Sequence, residues 1–358
     1  MNRASWTVVL TMMLGAACAE PLVASGDDGI DALPDAPAAP ASNPTSQEKA
    51  ELGKLLFWDA VLSGDRDTSC ASCHDPAYGY ADGIARAVGT GGAIVARNTP
   101  TVLHAAWNGW TGKGPFRPED APMFWDNRAQ SLETQAVGPL HAESEMRGQH
   151  LADADVAQEL PRRLRAIPAY SQRFAAAFGS AEITEERIAM AIASFERTLA
   201  RGSSPFDRFM RGEQDALSIA QKRGMVGFFE AGCAKCHGGP MFSDFKVHAL
   251  GVDSSFHGVA DRGDGQGRFR TPSLRNIEKT APYMHDGSLA TLDEVYDFYA
   301  QIDRGLDPAL SGIGPVVGTA RADMTAFLRA LTDTASTDDA PTEVPSGLPV
   351  GGTRRARR

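Results

Sequence analysis

The sequence contains the pentapeptide Cys70-Ala71-Ser72-Cys73-His74, and the same pattern returns at Cys233-Ala234-Lys235-Cys236-His237. In each copy, two thiols at this spacing can form thioether bonds to the two vinyl groups of one haem, and the histidine can bind its iron. A single CxxCH could instead be a redox-active dithiol or half of a zinc site. Only Cys18 lies outside the two copies, so we expect two covalently bound haem c groups.

The first 18 residues have the pattern of an export signal. A weakly basic start precedes a short apolar stretch from Trp6 to Leu14, which is too short to span a membrane. Gly15-Ala16-Ala17-Cys18 resembles a bacterial lipoprotein box, with glycine where leucine is usual. Ordinary cleavage after Ala19 is the alternative. We therefore expect a periplasmic protein, either anchored by a lipid on Cys18 or soluble.

Composition divides the rest of the chain into a folded region and two flanks. Residues 19–44 and 335–358 contain few large apolar side chains, so we expect a flexible linker and a disordered tail. Between them, Ile188, Ile192, Phe195 and Leu199 repeat at the spacing of one helix face. A chain of this length suits about two domains. We place an N-terminal haem domain at 45–205 and a C-terminal haem domain at 206–334.

Charge and hydropathy argue against two classes of protein, a dedicated nucleic-acid-binding protein and a protein with membrane-spanning helices beyond the N-terminus. The formal net charge is −10 over 358 residues, which argues against a dedicated nucleic-acid-binding protein. Beyond the N-terminus, no apolar run reaches the roughly 20 residues of a membrane-spanning helix.

Further motifs resemble those of the bacterial di-haem cytochrome c peroxidase family, which includes the MauG-type enzymes. They are Phe124-Trp125-Asp126-Asn127-Arg128-Ala129, Gln135-Ala136-Val137-Gly138-Pro139, Glu145-Met146 and Thr280-Ala281-Pro282-Tyr283-Met284-His285-Asp286-Gly287. The resemblance covers residues 46–332. It implies a mainly α fold of two cytochrome c-like haem domains with long loops. In this family, peroxide reacts at the N-terminal haem and the C-terminal haem transfers electrons.

The resemblance also gives roles to three residues near the first haem. Trp125 matches a tryptophan between the haems, and Gln135 and Glu145 match polar residues on the distal side. A carboxylate such as Glu145 can move a proton from the inner to the outer peroxide oxygen, and Gln135 can position peroxide or water. The alternatives are a solvated surface acid for Glu145 and core packing for Trp125.

Two positions depart from the pattern that many family members share. The position of their distal histidine falls on Thr90, and no histidine lies between His74 and His104. We therefore expect an open first iron, as in the MauG-type branch. Where those members place an axial methionine on the second haem, this chain has Tyr299, with Met284 as the competing ligand. Methionine raises a haem potential, whereas an anionic tyrosine oxygen stabilises the ferric state.

The resemblance implies two further sets of contacts. Family members bind Ca²⁺ between the domains through an asparagine side chain and two backbone carbonyls, and the matching positions are Asn98, Thr280 and Pro282. Oxygen ligands suit this hard ion. Arg270 and Arg275 are candidates to pair with haem propionates. A solvated surface role for at least one of these arginines is the alternative.

Three functions are compatible with the sequence. The first is an enzyme that reduces hydrogen peroxide to water with electrons from a small cytochrome c or cupredoxin. The second uses peroxide to oxidise a residue on a partner protein, and the third is a di-haem electron carrier or sensor. We favour the first, because a carrier needs no acid–base group such as Glu145 beside an open iron. Thr90 and Tyr299 keep the second open, and the oligomeric state, including a homodimer, is not fixed.

Overall fold

The computed structural model describes residues 9–10, 22–23, 29–34, 36–333 and 340–353. Most of the predicted export signal at 1–18, including Cys18, lies outside the described residues, as do residue 334 and residues 335–339 and 354–358 of the predicted tail. No described helix is both long enough and apolar enough to cross a bilayer.

The described residues form ten α-helices and three small antiparallel sheets. The helices are α1 (Gln47–Trp58), α2 (Cys70–Cys73), α3 (Leu132–His141), α4 (Val156–Arg165), α5 (Pro168–Phe178), α6 (Glu185–Thr198), α7 (Pro205–Met210), α8 (Ile219–Glu230), α9 (Leu292–Gln301) and α10 (Thr319–Arg329). The sheets pair β1 (Val9–Leu10) with β2 (Leu22–Val23), β3 (Pro122–Met123) with β4 (Ala129–Gln130), and β5 (Val247–His248) with β6 (Phe269–Arg270). The mainly α fold predicted from the sequence is confirmed.

One helix crossing is repeated in the two halves of the chain. Helix α1 packs across α6, and α8 packs across α10. A Cβ on Gly53 of α1 would overlap the Ala191 carbonyl oxygen of α6, and a Cβ on Gly224 of α8 would overlap the Asp323 carbonyl oxygen of α10. Because glycine has no Cβ, these helices can approach at backbone distance. Each CxxCH therefore follows the first helix of an equivalent pair.

Each half has its own apolar core, and a third core joins the two. In the C-terminal half, the rings of Phe206, Phe228, Phe242 and Phe327 meet edge to face, with centroids 5.0–6.1 Å apart. This geometry is favourable for aromatic quadrupoles. The third core combines Leu33, Trp107, Met123, Leu132, Ala193, Met241 and Phe245, among others. It draws side chains from both halves and from the N-terminal segment.

The N-terminal segment, residues 29–34 and 36–44, differs from the flexible linker that the sequence predicts for 19–44. Leu33 is buried, and its N–H donates to Oδ1 of Asp207 at 3.0 Å. Asn43 is also buried, and its Nδ2 donates to Oε1 of Glu133 at 2.8 Å. A buried carboxylate such as Asp207 requires donors, and here the segment supplies one from a position far away in sequence.

The C-terminal segment, residues 340–353, likewise differs from the disordered tail predicted for 335–358. Ser346 Oγ donates to Oδ1 of the buried Asp59 at 2.6 Å. Further along, the Gly351 N–H donates to the Trp58 carbonyl at 2.9 Å, and Ser72 Oγ donates to the Gly351 carbonyl at 2.9 Å. This segment therefore lies against the end of α1 and the first CxxCH.

Candidate functional site

Both CxxCH motifs hold their histidine in the same orientation. Nδ1 of His74 lies 2.9 Å from the Tyr80 carbonyl oxygen, and Nδ1 of His237 lies 3.0 Å from the Phe242 carbonyl oxygen. A carbonyl can only accept, so Nδ1 carries the proton and Nε2 keeps its lone pair. Burial lowers the pKa of both histidines, which favours the neutral imidazole that binds metals.

A cavity of about 400 Å³ lies against the first motif. This volume is within the range of cofactor and small-molecule sites. Its wall includes predicted site residues from distant parts of the chain: Cys70, Cys73, His74, Asn98, Trp125, Gln135, Glu145 and Arg270. The structure therefore brings together the first haem-binding motif and all three residues that the resemblance places near the first haem.

Arg270 reaches this cavity from the C-terminal half. Its side chain is buried, and its Nε donates to the Phe124 carbonyl at 2.8 Å. Burial lowers the pKa of this guanidinium to about 10. Asp126 opposes this shift without forming an ion pair with the guanidinium, so a propionate in the cavity would give this buried cation a direct partner. Two thiols, a neutral imidazole and this arginine fit a haem c with an anionic propionate.

Arg275, the second predicted propionate partner, binds a carboxylate of the protein instead. Its Nη1 and Nη2 donate to the two carboxylate oxygens of Asp207 at 2.9 and 3.0 Å, and its Nε donates to the Pro240 carbonyl at 2.6 Å. Arg275 and Asp207 are both buried. The structure thus gives Arg275 a bidentate carboxylate partner instead of a propionate, and neither arginine is solvated.

Glu145 belongs to a π-helical turn, Glu143–Arg147, that forms part of the cavity wall. Burial raises the pKa of its carboxyl, and Arg128 opposes this shift. The glycine-rich loop packs directly on the turn, because a Cβ on Gly89 would overlap the carbonyl oxygens of Ser144 and Glu145. A carboxyl with a raised pKa in the wall of a cavity is suited to proton exchange near neutral pH.

Gln135 lies in the first turn of α3, which is capped at its N-terminus by the Ser131 hydroxyl accepting from the Thr134 N–H at 3.3 Å. The helix faces the cavity with Gln135, Ala136 and Pro139. Gln135 and Glu145 therefore reach the same space from two consecutive elements.

Thr90, at the position where the resemblance places a distal histidine, forms a hydrogen bond within the protein. It is buried, and its Oγ1 donates to Oδ1 of Asp67 at 2.6 Å. Asp67 also accepts from the Gly91 N–H at 3.2 Å. The loop is thus fixed by a carboxylate, and Thr90 does not line the cavity.

Trp125 lies where the two halves meet. Its Nε1 donates to the Asn98 carbonyl at 2.9 Å, and its ring meets that of His285 edge to face at 6.4 Å. His285 in turn stacks on Phe269 with centroids 3.4 Å apart. Trp125 therefore contacts a loop of the opposite half, as expected of a residue between the two haem domains.

Sequence reasoning missed His285 and an ion-pair cluster beside it. His285 is buried, its Nε2 has no partner among the described residues, and burial lowers its pKa to about 4. Arg97 binds Asp126 at 2.7 Å and Asp261 at 2.6 Å, which joins the two halves. His285 was visible within the Thr280–Gly287 motif, but nothing local identifies Asp261 as an interface residue.

The second motif lies close to Tyr299 of α9. Burial and the thiols of Cys236 and Cys233 raise the pKa of the Tyr299 hydroxyl. This hydroxyl forms no hydrogen bond with any described residue. Met284, the competing ligand, is partly buried in the loop before α9.

His248, which sequence reasoning set aside, also lies at the second motif. Its Nε2 is 3.0 Å from Oδ2 of Asp244, and its Nδ1 is 3.2 Å from Oδ2 of Asp307. Its pKa is raised to about 10, chiefly by Asp244 and the Cys236 sulfur. Cys236, Asp244 and His248 could together hold a metal ion, but Cys236 is one of the two haem-attachment thiols.

Asn98, one of the residues predicted to bind calcium, already forms hydrogen bonds within the protein. Asn98 Nδ2 donates to the Ile84 carbonyl at 2.9 Å, and the Asn98 N–H donates to the His285 carbonyl at 2.8 Å. The second bond places Asn98 against the loop that contains Thr280 and Pro282.

Comparison with known proteins identifies the family of this chain. A family model described as di-haem cytochrome c peroxidase matches residues 47–215. The chain is 39% identical over 278 residues to the methylamine utilization protein MauG of Methylorubrum extorquens, covering 74% of this chain and 72% of that protein. It is 32% identical over 341 residues to the cytochrome c551 peroxidase of Nitrosomonas europaea, covering 93% and 92%.

A solved structure gives the same result for the fold. The crystal structure of a MauG-like protein associated with microbial copper homeostasis matches with a TM-score of 0.72 and 32% identity, covering 87% of this chain and 96% of that one. With its two CxxCH motifs and the cavity beside the first, this chain belongs to the di-haem cytochrome c peroxidase family, a family of oxidoreductases with two c-type haems.

Proposed function

We propose that this protein reduces hydrogen peroxide to water in the cavity beside Cys70, Cys73 and His74, with electrons that a small cytochrome c or cupredoxin delivers through the second haem. One observation carries the proposal: Gln135 and the partly buried acid Glu145 line the same cavity as the first haem-binding motif. A protein that only carries electrons has no use for an acid in such a cavity.

The reaction consumes two electrons and two protons for each peroxide, and two water molecules leave. When bound, the haem supplies an iron that binds peroxide and accepts the electrons. Glu145 takes the proton from the inner peroxide oxygen and gives it to the outer oxygen, which then departs as water. Gln135 orients the peroxide by hydrogen bonding, while apolar residues such as Phe57 and Ile192 limit water in the cavity.

Steady-state turnover tests the proposal. With a reduced small cytochrome c present, we expect peroxide consumption to accelerate and two donor molecules to be oxidised per peroxide. Peroxide consumption without donor oxidation would contradict the proposal.

The oxidation of a residue on a partner protein is the second candidate function. It is supported by the absence of a histidine in the loop around Thr90, by the position of Tyr299 near the second motif, and by the similarity to MauG. The two candidates differ in the reductant, which is a small redox protein in the first and a residue of the partner protein in the second. In the second, the oxidised product is a cross-linked or oxygenated partner protein, which mass spectrometry of the partner would detect.

We also infer a periplasmic location and a Ca²⁺ ion between the halves. The export pattern at 1–18 supports the first inference. The contact between Asn98 and the loop with Thr280 and Pro282 supports the second. Metal analysis before and after chelation tests calcium. A lipid anchor on Cys18 and a homodimer stay predictions, which the mass of the mature N-terminus and sedimentation can test.

A further inference from the structure

A second acid, fully buried, faces the cavity beside the first haem motif. Glu196 of α6 is 3% exposed and lines the cavity together with Ile192, one helical turn earlier. Its Oε2 is buried and has no hydrogen-bond partner among the described residues. A buried carboxyl without a partner requires an explanation, and the peroxide chemistry assigned to Glu145 does not use it.

The charged neighbours of Glu196 leave its carboxyl without a direct counter-ion. On the same helix, Arg197 donates from Nη2 to Oε1 of Glu133 of α3 at 2.6 Å, and its Nη1 has no hydrogen-bond partner among the described residues. Lys49 of α1, which acts on Arg197 and Glu133, donates from Nζ to Oδ1 of Asn43 at 3.1 Å and to a backbone carbonyl. Cys70 of α2 lies near enough for Glu196 to raise the pKa of its thiol.

Glu145 is the other acid of the same cavity, and the two carboxyls differ in their surroundings. Arg128 opposes the effect of burial on Glu145. For Glu196, burial raises the pKa to about 8, with Arg197 opposing and Glu133 adding to the shift. The proton of Glu196 is therefore exchangeable within the range of pH in which such proteins work.

We propose that Glu196 is the redox-linked proton acceptor of the first haem, which binds a proton when that haem gains an electron and releases it when the electron leaves. In the balanced step, the haem iron goes from ferric to ferrous with one electron from the donor protein, and the Glu196 carboxylate takes one proton from solvent. The net charge of the site is then unchanged. Charges inside a protein interact strongly because the medium is weakly polarisable.

By linkage, the coupling acts in both directions. If reduction favours protonation of Glu196, protonation of Glu196 must favour reduction to the same extent. The first haem then becomes easier to reduce as the pH falls. This role concerns the delivery of electrons in the proposed function, and it rests on that function only for its biological purpose.

The test measures the midpoint potential of the first haem in the holoprotein from pH 6 to pH 10. Above the pKa of the oxidised form, we expect the wild-type potential to fall with pH, by at most about 59 mV for each tenfold change in proton concentration. Glu196→Gln should make it nearly independent of pH over that range. Glu186→Gln is the matched control, because Glu186 is an exposed acid on the same helix; its profile should match the wild type.

An infrared difference spectrum between the oxidised and reduced states supplies a second readout. We expect a protonated-carboxyl band that grows on reduction, shifts in deuterated water, and is lost in Glu196→Gln. Glu196→Asp keeps an ionisable group, so it should retain a shifted band and a pH-dependent potential even if the glutamine variant does not fold.

Two results would overturn the inference. The first is an unchanged pH dependence of the potential in Glu196→Gln with both haems bound. The second is a protonated-carboxyl infrared band that grows on reduction and persists in Glu196→Gln, which would assign the redox-linked proton to another acid. Neither the potential nor the infrared band requires peroxide turnover, so failure of the proposed function would be seen separately.

Discussion

At the residue scale, the function depends on a few side chains whose environment differs from that of their neighbours. Glu143 and Glu145 lie two positions apart on one π-helical turn, yet Glu143 is exposed and bound to Arg147 at 3.0 Å, whereas Glu145 lines the cavity. The surface role considered for Glu145 therefore does not fit its position. π-helical turns are frequent at functional sites.

Glu145→Gln should slow the reaction with peroxide by roughly 10²-fold or more, the usual size of an acid–base contribution. The amide keeps the shape of the side chain but cannot carry the proton. Rapid-mixing absorbance measurements would give the rate, and the haem spectra should stay unchanged. Glu143→Gln is the control and should react at the parent rate. If Glu145→Gln also reacts at the parent rate, this residue is a bystander.

Tyr299→Phe should change the second haem and leave the first one unaffected. We expect the resting oxidised protein to contain a high-spin, five-coordinate first haem and a low-spin second haem bound by His237 and Tyr299. Electron paramagnetic resonance should show the low-spin signal lost or shifted in the variant. Tyr296→Phe is the control, since Tyr296 lies one turn earlier on α9 and bonds to Thr325 at 3.0 Å. An unchanged second haem would favour Met284 as the ligand.

At the scale of elements, each half of the chain is built around one close helix crossing, α1 with α6 and α8 with α10. In α8, Gly224 lies at the crossing with α10, where an added Cβ would meet the Asp323 carbonyl. A Cβ on Gly227 would have only the terminal methyl of Met324 within 4 Å, at an ordinary contact distance of 3.8 Å. Glycine is thus indispensable at one position of this helix and replaceable one turn away.

Gly224→Ala should destabilise the protein by about 1–3 kcal/mol or more, because the new methyl group forces α8 away from the Asp323 carbonyl. Gly227→Ala should be neutral or stabilising by up to about 1 kcal/mol, since alanine favours the helix. Thermal unfolding of the holoproteins would compare the two variants. Equal midpoints would contradict the proposed crossing.

Ion pairs formed by one histidine hold the elements that carry Gln135 and Glu145 in place. His141, at the end of α3, lies 2.7 Å from Oδ1 of Asp153 and 2.9 Å from Oε1 of Glu185 at the start of α6. Although burial lowers it, these two carboxylates raise the pKa of His141 above its usual value.

This ion-pair cluster should make stability depend on pH. Because the folded-state pKa is the higher one, its contribution is complete below the unfolded pKa of about 6.5 and is lost as pH rises through the folded pKa. His141→Gln should therefore lower the melting temperature at pH 6 more than at pH 9. His150→Gln removes a histidine that is more exposed than His141, and it should have a smaller effect. Equal losses at both pH values would rule out the electrostatic explanation.

At the scale of the whole molecule, the described C-terminal segment, residues 340–353, packs beside the first haem-binding motif. The C-terminal segment bonds to Asp59 and to the Asp67 carbonyl, which receives the Thr353 N–H at 2.9 Å. Asp67 also holds Thr90 in the glycine-rich loop. Residues more than 250 positions apart thus meet beside one cavity.

Ser346→Ala should destabilise the protein by about 1–3 kcal/mol, because it removes a donor from the buried Asp59 carboxylate. The remaining donors to Asp59 include Tyr170, at 2.6 Å. Thr342→Ala changes an exposed residue of the same segment and should be neutral. Thermal unfolding would distinguish them, and equal stability of both variants would mean that the segment is not held through Asp59.

The motifs that depend on neighbours along the chain could be read directly. The spacing of each CxxCH is a covalent requirement of one haem, so Cys70, Cys73, His74, Cys233, Cys236 and His237 needed no tertiary information. The periodicity of α6 was equally local, and the motifs around Trp125, Gln135 and Glu145 were sufficient for the family. These features determine the mainly α fold and the di-haem class.

Only the tertiary structure decided which charged groups form hydrogen bonds or ion pairs, and with which residues. Arg270 and Arg275 are alike in sequence, yet one faces the cavity and the other binds Asp207. Polar, proline-rich ends read as disordered, yet Leu33 and Ser346 complete buried sites. In the sequence, Glu196 looks like any other polar residue of an amphipathic helix. Only the packing of α6 shows that its side chain lines the cavity. The physical reason is the same throughout: the free energy of a buried charge depends on partners that folding brings from elsewhere in the chain.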